Sequence, residues 1–112
     1  MVPVYKLLWR GEKNMSSFKD IINSDKPVLV DFSAEWCQPC RMMPPILKEV
    51  KDHFGDRIRV IKIDVDKNPA VAQRYMIRSV PMLMIFRRGE ILFSQPGVIP
   101  AAQLAEIVRQ FL

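Results

Sequence analysis

The sequence predicts an α/β fold in which a central mixed sheet is flanked by helices on both faces. Residues 28–32 are apolar except for Asp31, which is typical of a strand covered on both faces. Residues 57–63 alternate charged with β-branched side chains and indicate a second buried strand. An apolar stripe within residues 41–54 predicts a helix between the two strands. A strand, a helix and a strand in this order indicate a layered α/β domain.

Capping residues and prolines place the helices of the first two thirds of the chain. A short helix begins after Ser16-Ser17 and is stopped by residues 25–27, and another opens at Pro69. The helix at residues 41–54 is interrupted by Pro44-Pro45, whose missing amide donors predict a bend at that point. Gly55 offers its end.

A hairpin and a final helix complete the fold. Residues 82–87 and 90–94 are predicted to be antiparallel strands joined by Arg88-Gly89, and Pro96-Gly97 ends the pair. An amphipathic helix follows, with Pro100 in its first turn. The chain contains no internal repeat, linker or low-complexity tract, so residues 1–112 are expected to form a single domain.

Residues 1–14 are predicted to form a strand and a loop. Tyr5, Lys6 and Arg10 interrupt any signal-peptide core, which favours a cytoplasmic protein. A mature periplasmic or secreted form, with its signal removed, stays open as the alternative.

Composition narrows the classes of function. With 49% hydrophobic and 26% charged residues, the chain is expected to be globular rather than disordered, and no apolar run approaches the roughly 20 residues of a membrane helix. The net charge is +5, but the basic residues are scattered and no long basic run is interleaved with aromatic residues. We therefore expect no binding to nucleic acid or membranes.

The only two cysteines form a Cys-x-x-Cys motif between a predicted strand and a helix start. Unpaired amides and the helix dipole at that position favour an anion, so the pKa of the Cys37 thiol should be lowered. Cys40 lies one turn later on the same face and could close a disulfide with Cys37 as a resolving thiol. A zinc site is the main alternative, but a tetrahedral site needs four ligands and only His53 could add one within the chain. A metal bridged by the cysteines of two chains stays open, while the expectation for the single chain is no metal and no bound cofactor.

Several motifs together resemble the thioredoxin family, from about Ser16 to Leu112. They fall in the family's order and approximate spacing, at residues 28–40, 62–66 and 77–81 and at Pro45, Phe86, Gly89 and Gly97. The resemblance implies the thioredoxin fold and a protein disulfide oxidoreductase in which Cys37 attacks a substrate disulfide and Cys40 releases the product.

The resemblance also assigns roles to two residues that charge and burial single out. Asp31 lies in an apolar strand, so its carboxyl should have a raised pKa and could exchange a proton with Cys40; a structural hydrogen bond is the alternative. Lys62 matches the lysine beside this acid and could tune its charge, or could extend from a strand end to water.

A substrate-binding surface follows from the resemblance as well. Pro81 matches a proline with a cis peptide bond facing the cysteines, which would leave the backbone of Val80 free to pair with an extended substrate. The apolar surface around the exposed sulfur would include Trp36, although that residue could instead belong to the core. The full expected set is Trp36, Gln38, Pro39, Val80, Pro81, Gly97 and Val98.

Three departures from the family pattern bear on this expectation. Gln38 stands where glycine is typical, and because the pair between the cysteines influences redox poise, the reduction potential is not transferred. Ser33 replaces a common tryptophan, which should leave the site more open. Met82 replaces a threonine after the proline and most simply fills core volume.

The resulting hypothesis is a monomeric reductase of protein disulfides that a thioredoxin reductase or an equivalent electron donor recharges. An exported disulfide oxidase or isomerase would use the same residues. A binding module with the dithiol as a switch is the alternative from another class.

Overall fold

The computed structural model describes residues 15–112, and the strand and loop predicted for residues 1–14 lie outside the described residues. The described chain alternates helices and strands. In order the elements are α1 (Met15–Ile22), β1 (Val28–Ser33), a 3₁₀ turn (Pro39–Met42), α2 (Met43–Phe54), a second 3₁₀ turn (Gly55–Arg57), β2 (Arg59–Asp64), α3 (Pro69–Arg74), β3 (Met82–Arg87), β4 (Glu90–Pro96) and α4 (Ala101–Arg109).

The strands form the predicted mixed sheet, in the order β2-β1-β3-β4. β1 is parallel to β2, whereas the β1–β3 and β3–β4 pairs are antiparallel. The parallel register places Asp31 beside Lys62 and Ser33 beside Asp64. Because paired residues project from the same face of a sheet, these four side chains share one face at the carboxyl end of β1.

Helices cover both faces of the sheet, as the sequence predicts. One core packs residues of α2 and α4, such as Leu47 and Leu104, against Leu29 and Leu83. The other core centres on Phe18 of α1, whose fully buried ring packs at 5.4–6.1 Å from three aromatic rings. Fully burying one such side chain contributes about 1.5–3 kcal/mol. The two cores therefore hold β1 in place, and the cysteines follow its carboxyl end.

The helix after the cysteines differs from the prediction. It is interrupted between Met42 and Met43, where a 3₁₀ turn gives way to α2, and not at Pro44-Pro45. The prolines fall in the first turn of α2, where amides have no intrahelical acceptor and their absence costs little. The amide of Met43 donates to the carbonyl of Cys40 instead.

Other element boundaries differ by a few residues. β2 begins at Arg59, because Gly55, with a φ of 58°, leads into a 3₁₀ turn that occupies the predicted strand start. Arg88 and Gly89 have φ angles of 51° and 80°, as required by a two-residue hairpin turn of the mirror-image type. Pro100 is the N-cap residue of α4 and so lies just before the first turn, in which it was predicted. Within residues 15–112, no helix is both long and apolar enough to span a membrane.

Candidate active site

Cys37 and Cys40 lie where β1 ends and the first 3₁₀ turn begins, and they form a disulfide. Their Cα atoms are 5.3 Å apart, so the structure is that of the oxidised protein. The amide of Cys40 points at the Cys37 sulfur, with N and Sγ 3.2 Å apart. An amide at that position can stabilise a thiolate on Cys37 after reduction, as the helix-start position predicts.

Both cysteines are nearly covered in the oxidised protein. Each is only 4% exposed, so the expectation of an exposed sulfur is wrong for this state. The residues around them are open by contrast: Gln38 and Pro39 are exposed and Trp36 is 71% exposed. The exposure of Trp36 excludes a place in the core, and the residue directly precedes Cys37 in the chain.

A second loop meets the cysteines through Val80. The carbonyl oxygen of Val80 lies 3.6 Å from Cys37 Sγ, and the Val80–Pro81 peptide bond is cis, as the resemblance implies. The amide of Gly97, which has a φ of 92°, donates a 2.8 Å hydrogen bond to the carbonyl of Pro81. The neighbouring Val98 is half-buried and packs against the core of α2 and α4. The structure therefore brings the 80–81 and 97–98 loops together next to Cys37.

Asp31 is completely buried, and neither carboxylate oxygen has a hydrogen-bond partner within residues 15–112. Burial raises the pKa of Asp31 from 3.8 to about 7, while the positive charge of Lys62 acts in the opposite direction. The raised pKa agrees with the sequence prediction. A carboxyl that titrates near neutral pH can both accept and return a proton.

Lys62 links this carboxyl to the cysteine pair. It is half-buried, lies beside Asp31 in the sheet and lines an open pocket of about 430 Å³ together with Cys40. The rest of that pocket's lining consists of Ala34, Glu35, Arg41 and Pro44. The side chain thus joins the buried acid to the space in front of the resolving cysteine.

Asp66 is a site residue that sequence reasoning did not single out. Its Oδ2 accepts a 2.8 Å hydrogen bond from the indole nitrogen of Trp36. It lies in the turn after β2, where the side chain of Asp64 accepts hydrogen bonds from two backbone amides. The one feature of the sequence that pointed to Asp66 is its place in the family-like run 62–66. Its contact with Trp36, 30 residues away, cannot be inferred from sequence spacing.

His53, the one other residue considered as a metal ligand, lies on α2. Its Nε2 is 3.4 Å from the guanidinium of Arg109 on α4, and its ring packs edge-on against Phe54. The structure therefore places it in the seam between α2 and α4, with partners of its own.

Comparisons with known proteins agree with this geometry. The thioredoxin family model matches residues 11–110. A thioredoxin-like protein of Synechocystis is 45% identical over 102 residues, which cover 90% of this chain and 97% of that protein. A thioredoxin of Acidithiobacillus ferridurans is 47% identical over 85 residues, 76% of this chain and 79% of the relative. The crystal structure of a Malassezia sympodialis thioredoxin is similar with a TM-score of 0.79 and 31% identity, over 88% of this chain and 85% of that one.

The chain carries a disulfide-forming Cys-x-x-Cys pair at the end of a strand, on a four-stranded mixed sheet with helices on both faces, and the family model matches most of its length. Members of this family act on disulfides of target proteins and receive electrons from a reductase partner. The chain belongs to the thioredoxin family and is a thiol-disulfide oxidoreductase that works through Cys37 and Cys40.

Proposed function

We propose that this oxidoreductase runs in the reducing direction, with two electrons passing from its dithiol to a protein disulfide. The Cys37 thiolate attacks one substrate sulfur, the substrate disulfide breaks, and a mixed disulfide forms. Cys40 then loses its proton and attacks Cys37, which closes the Cys37–Cys40 bond and releases the second substrate sulfur as a thiolate. The substrate gains two electrons and, with protons, becomes a dithiol.

The carboxyl of Asp31, which is buried and has no hydrogen-bond partner among residues 15–112, is the observation that carries this direction. At neutral pH it is partly ionised. Its sheet neighbour Lys62 lines the pocket that holds Cys40, so the negative charge of Asp31 disfavours a thiolate on the reduced cysteine pair. A strong disulfide oxidant owes its high reduction potential to a stabilised reduced form. The reduced form of this protein lacks that degree of stabilisation, which favours the reducing direction. In its ionised form the same carboxyl accepts the proton that Cys40 loses, with Lys62 limiting how far its pKa rises.

The residues around Cys37 form the substrate surface in this proposal, with exposed side chains on one side and buried Pro81 beside half-buried Gly97 and Val98 on the other. Trp36, Gln38 and Pro39 contact one side of an extended substrate segment, and the backbone of Val80 pairs with that segment. Pro81, Gly97 and Val98 form the other side, where the absence of a side chain at Gly97 allows close backbone approach. Backbone pairing and apolar contact accept many sequences, which suits a reductase of several protein targets.

Partner and compartment complete the proposal. The chain acts as a monomer and as a single domain, a thioredoxin reductase or an equivalent donor reduces it again, and it works in the cytoplasm. A reducing compartment fits a dithiol that must be returned to the reduced state after each turnover. Neither nucleic acid nor membrane takes part.

The reduction potential of the Cys37–Cys40 pair, measured at equilibrium with glutathione, tests the direction. We expect a value near about −270 mV, and a value between roughly −180 and −120 mV would instead indicate an isomerase or an oxidase. Turnover with a protein disulfide tests the roles: Cys37→Ser should abolish it, and Cys40→Ser should accumulate mixed disulfides. Partner binding that persists unchanged without either cysteine would favour the binding-module alternative.

A further inference from the structure

Ser33 is a second buried polar side chain on the sheet face that carries Asp31. The two residues are separated by one position on β1, so their side chains project from the same face. Ser33 is 1% exposed, and within residues 15–112 its hydroxyl oxygen has no hydrogen-bond partner, as is true of both oxygens of Asp31. A buried polar group without a hydrogen-bond partner is destabilising, so this pair of residues favours a hydrogen-bonding molecule between the two side chains.

The spacing of the two side chains suits a bridging molecule better than a direct bond. Alternate residues of a strand lie about 6.6 Å apart, which two short side chains do not span with one hydrogen bond. Two hydrogen bonds through a single water oxygen cover the remaining distance. A hydroxyl can donate to such a water or accept from it, so Ser33 can serve either protonation state of Asp31.

Ser33 also lies on the side of Asp31 that leads to the cysteines. The next residue, Ala34, packs in one small cluster with Cys37 and Cys40 and lines the pocket in front of Cys40. Lys62, which lines the same pocket, is the sheet neighbour of Asp31. The polar pair therefore stands between the interior of the sheet and the resolving thiol.

We propose that Ser33 is a positioning residue: its hydroxyl holds the water molecule that lies beside the Asp31 carboxyl and thereby tunes the transfer of the Cys40 proton to that carboxyl. The inference rests on the function proposed above. The proton of Cys40 passes to the Asp31 carboxylate. The electron pair left on Cys40 forms the bond to Cys37, and the bond from Cys37 to the substrate sulfur breaks, with its electron pair leaving on that sulfur.

The charged groups around this site come from three elements. β2 contributes Lys62 beside Asp31 and Asp64 beside Ser33, while the first 3₁₀ turn and the residues before it contribute Arg41 and Glu35 at the pocket. The register partner of Asp31 on β3 is apolar Leu83. A substitution of Ser33 leaves all four of these charged side chains in place. A shift in the titration midpoint of Asp31 after that substitution therefore reports on the Ser33 hydroxyl.

The test compares Ser33→Ala with Ser94→Ala in the full chain. Ser94 pairs with Met84, which belongs to the other core, so its removal is the same chemical change on the opposite face of the sheet. Carbon-13 NMR follows the titration of the Asp31 carboxyl. Stopped-flow mixing of the reduced protein with dithiobis(nitrobenzoate) follows two thiol releases, the first from attack by Cys37 and the second from attack by Cys40.

We expect Ser33→Ala to raise the Asp31 midpoint by about one pH unit and to slow the second release about tenfold, with the first release unchanged. Ser94→Ala should move none of these quantities. In an Asp31→Asn background, Ser33→Ala should slow the second release no further, because the proton acceptor is already gone. An unchanged midpoint and second release in Ser33→Ala would overturn this role of Ser33. Failure of the wild-type protein to reduce any protein disulfide would instead refute the proposed function.

Discussion

The indole nitrogen of Trp36 donates a hydrogen bond of 2.8 Å to Asp66, which joins the turn before the cysteines to the turn after β2. A second link between the same turns is the ion pair of Glu35 and Lys67, with Oε1 and Nζ 2.9 Å apart. Both of its side chains are more than half exposed, so this pair contributes only about 0–1 kcal/mol. Since Trp36 is itself 71% exposed, its orientation depends chiefly on the bond to Asp66.

We therefore predict that Asp66→Ala weakens substrate binding and leaves the fold intact. Loss of one hydrogen bond at an exposed site costs about 0.5–1.5 kcal/mol, which corresponds to a roughly 2- to 12-fold rise in KM for a protein disulfide. The chemical step and the free energy of unfolding should change little. Fluorescence anisotropy of Trp36, recorded in a Trp9→Phe background, should show a more mobile indole.

Two further variants separate the hydrogen bond from the charge. Asp66→Asn keeps an oxygen acceptor and should retain most of the wild-type KM, whereas Lys67→Ala removes only the exposed ion pair and should change KM by less than about threefold. Equal KM values for Asp66→Ala and the wild type would show that the bond does not hold Trp36 for binding.

Asp31 should make the oxidised protein less stable as pH rises through the neutral range. Its pKa is about 7 in the folded protein and 3.8 as an ordinary carboxyl, so between about pH 4 and pH 7 only the unfolded chain ionises. Below that window the group is neutral in both states and carries no penalty; above it the penalty levels off. At about 1.4 kcal/mol per pKa unit, the full loss is up to about 4 kcal/mol.

Urea unfolding of the oxidised protein between pH 4 and pH 8 measures this loss. Asp31→Asn should flatten the decline and be the more stable protein above pH 7. Asp20→Asn changes an exposed carboxyl on α1 and should keep the wild-type slope. Parallel stability curves for the wild type and Asp31→Asn would contradict the assignment of the buried acid.

Lys62 should hold the pKa of Asp31 below the value that burial alone would give. Its positive charge lowers that pKa, so Lys62→Met should raise the Asp31 midpoint above about 7, by roughly half a unit or more. Arg41→Met is the matched control, because Arg41 lines the same pocket and is not a sheet neighbour of Asp31. The midpoint of Asp31 is measured by carbon-13 NMR titration in the wild type and in both variants. Similar midpoint shifts in the two variants would mean that the total charge of the protein, and not Lys62 in particular, sets the pKa of Asp31.

Most of the fold follows from local patterns in the sequence. The apolar run ending at Phe32, the Arg88-Gly89 turn and the stripe on α4 each specify one element, and the structure confirms all three. The interruption near Pro44 was misplaced because proline forbids an amide donor but not a position in a first helical turn. Whether the helix starts before or at the prolines depends on how the preceding turn packs, which no local pattern records.

The site was partly predictable for a similar reason. The burial of Asp31 could be inferred from its apolar neighbours on one strand, and its raised pKa follows from burial. The bond between Trp36 and Asp66 and the shared face of Ser33 with Asp31 depend on strand register and on loops that meet only after folding. The carbonyl of Val80, which lies against Cys37 in the oxidised state, likewise belongs to a loop that reaches the cysteines only after folding.

Met76 adopts a backbone conformation that disfavours residues with a Cβ atom. Its φ is 52°, it follows the end of α3, and its side chain is 70% exposed. A positive φ costs a residue other than glycine about 1–2 kcal/mol, and the exposed side chain recovers little of this by burial. The amide of Met76 donates to the carbonyl of Gln73, which holds the turn in place.

We predict that Met76→Gly raises the free energy of unfolding by roughly 0.5–1 kcal/mol, since relief of the φ penalty exceeds the added entropy of glycine in the unfolded chain. Met76→Ala is the decisive comparison, because it removes the exposed side chain and keeps the Cβ atom at the same φ. It should gain nothing. If the alanine variant were stabilised as much as the glycine variant, exposure of the methionine, and not its backbone conformation, would be the source of the cost.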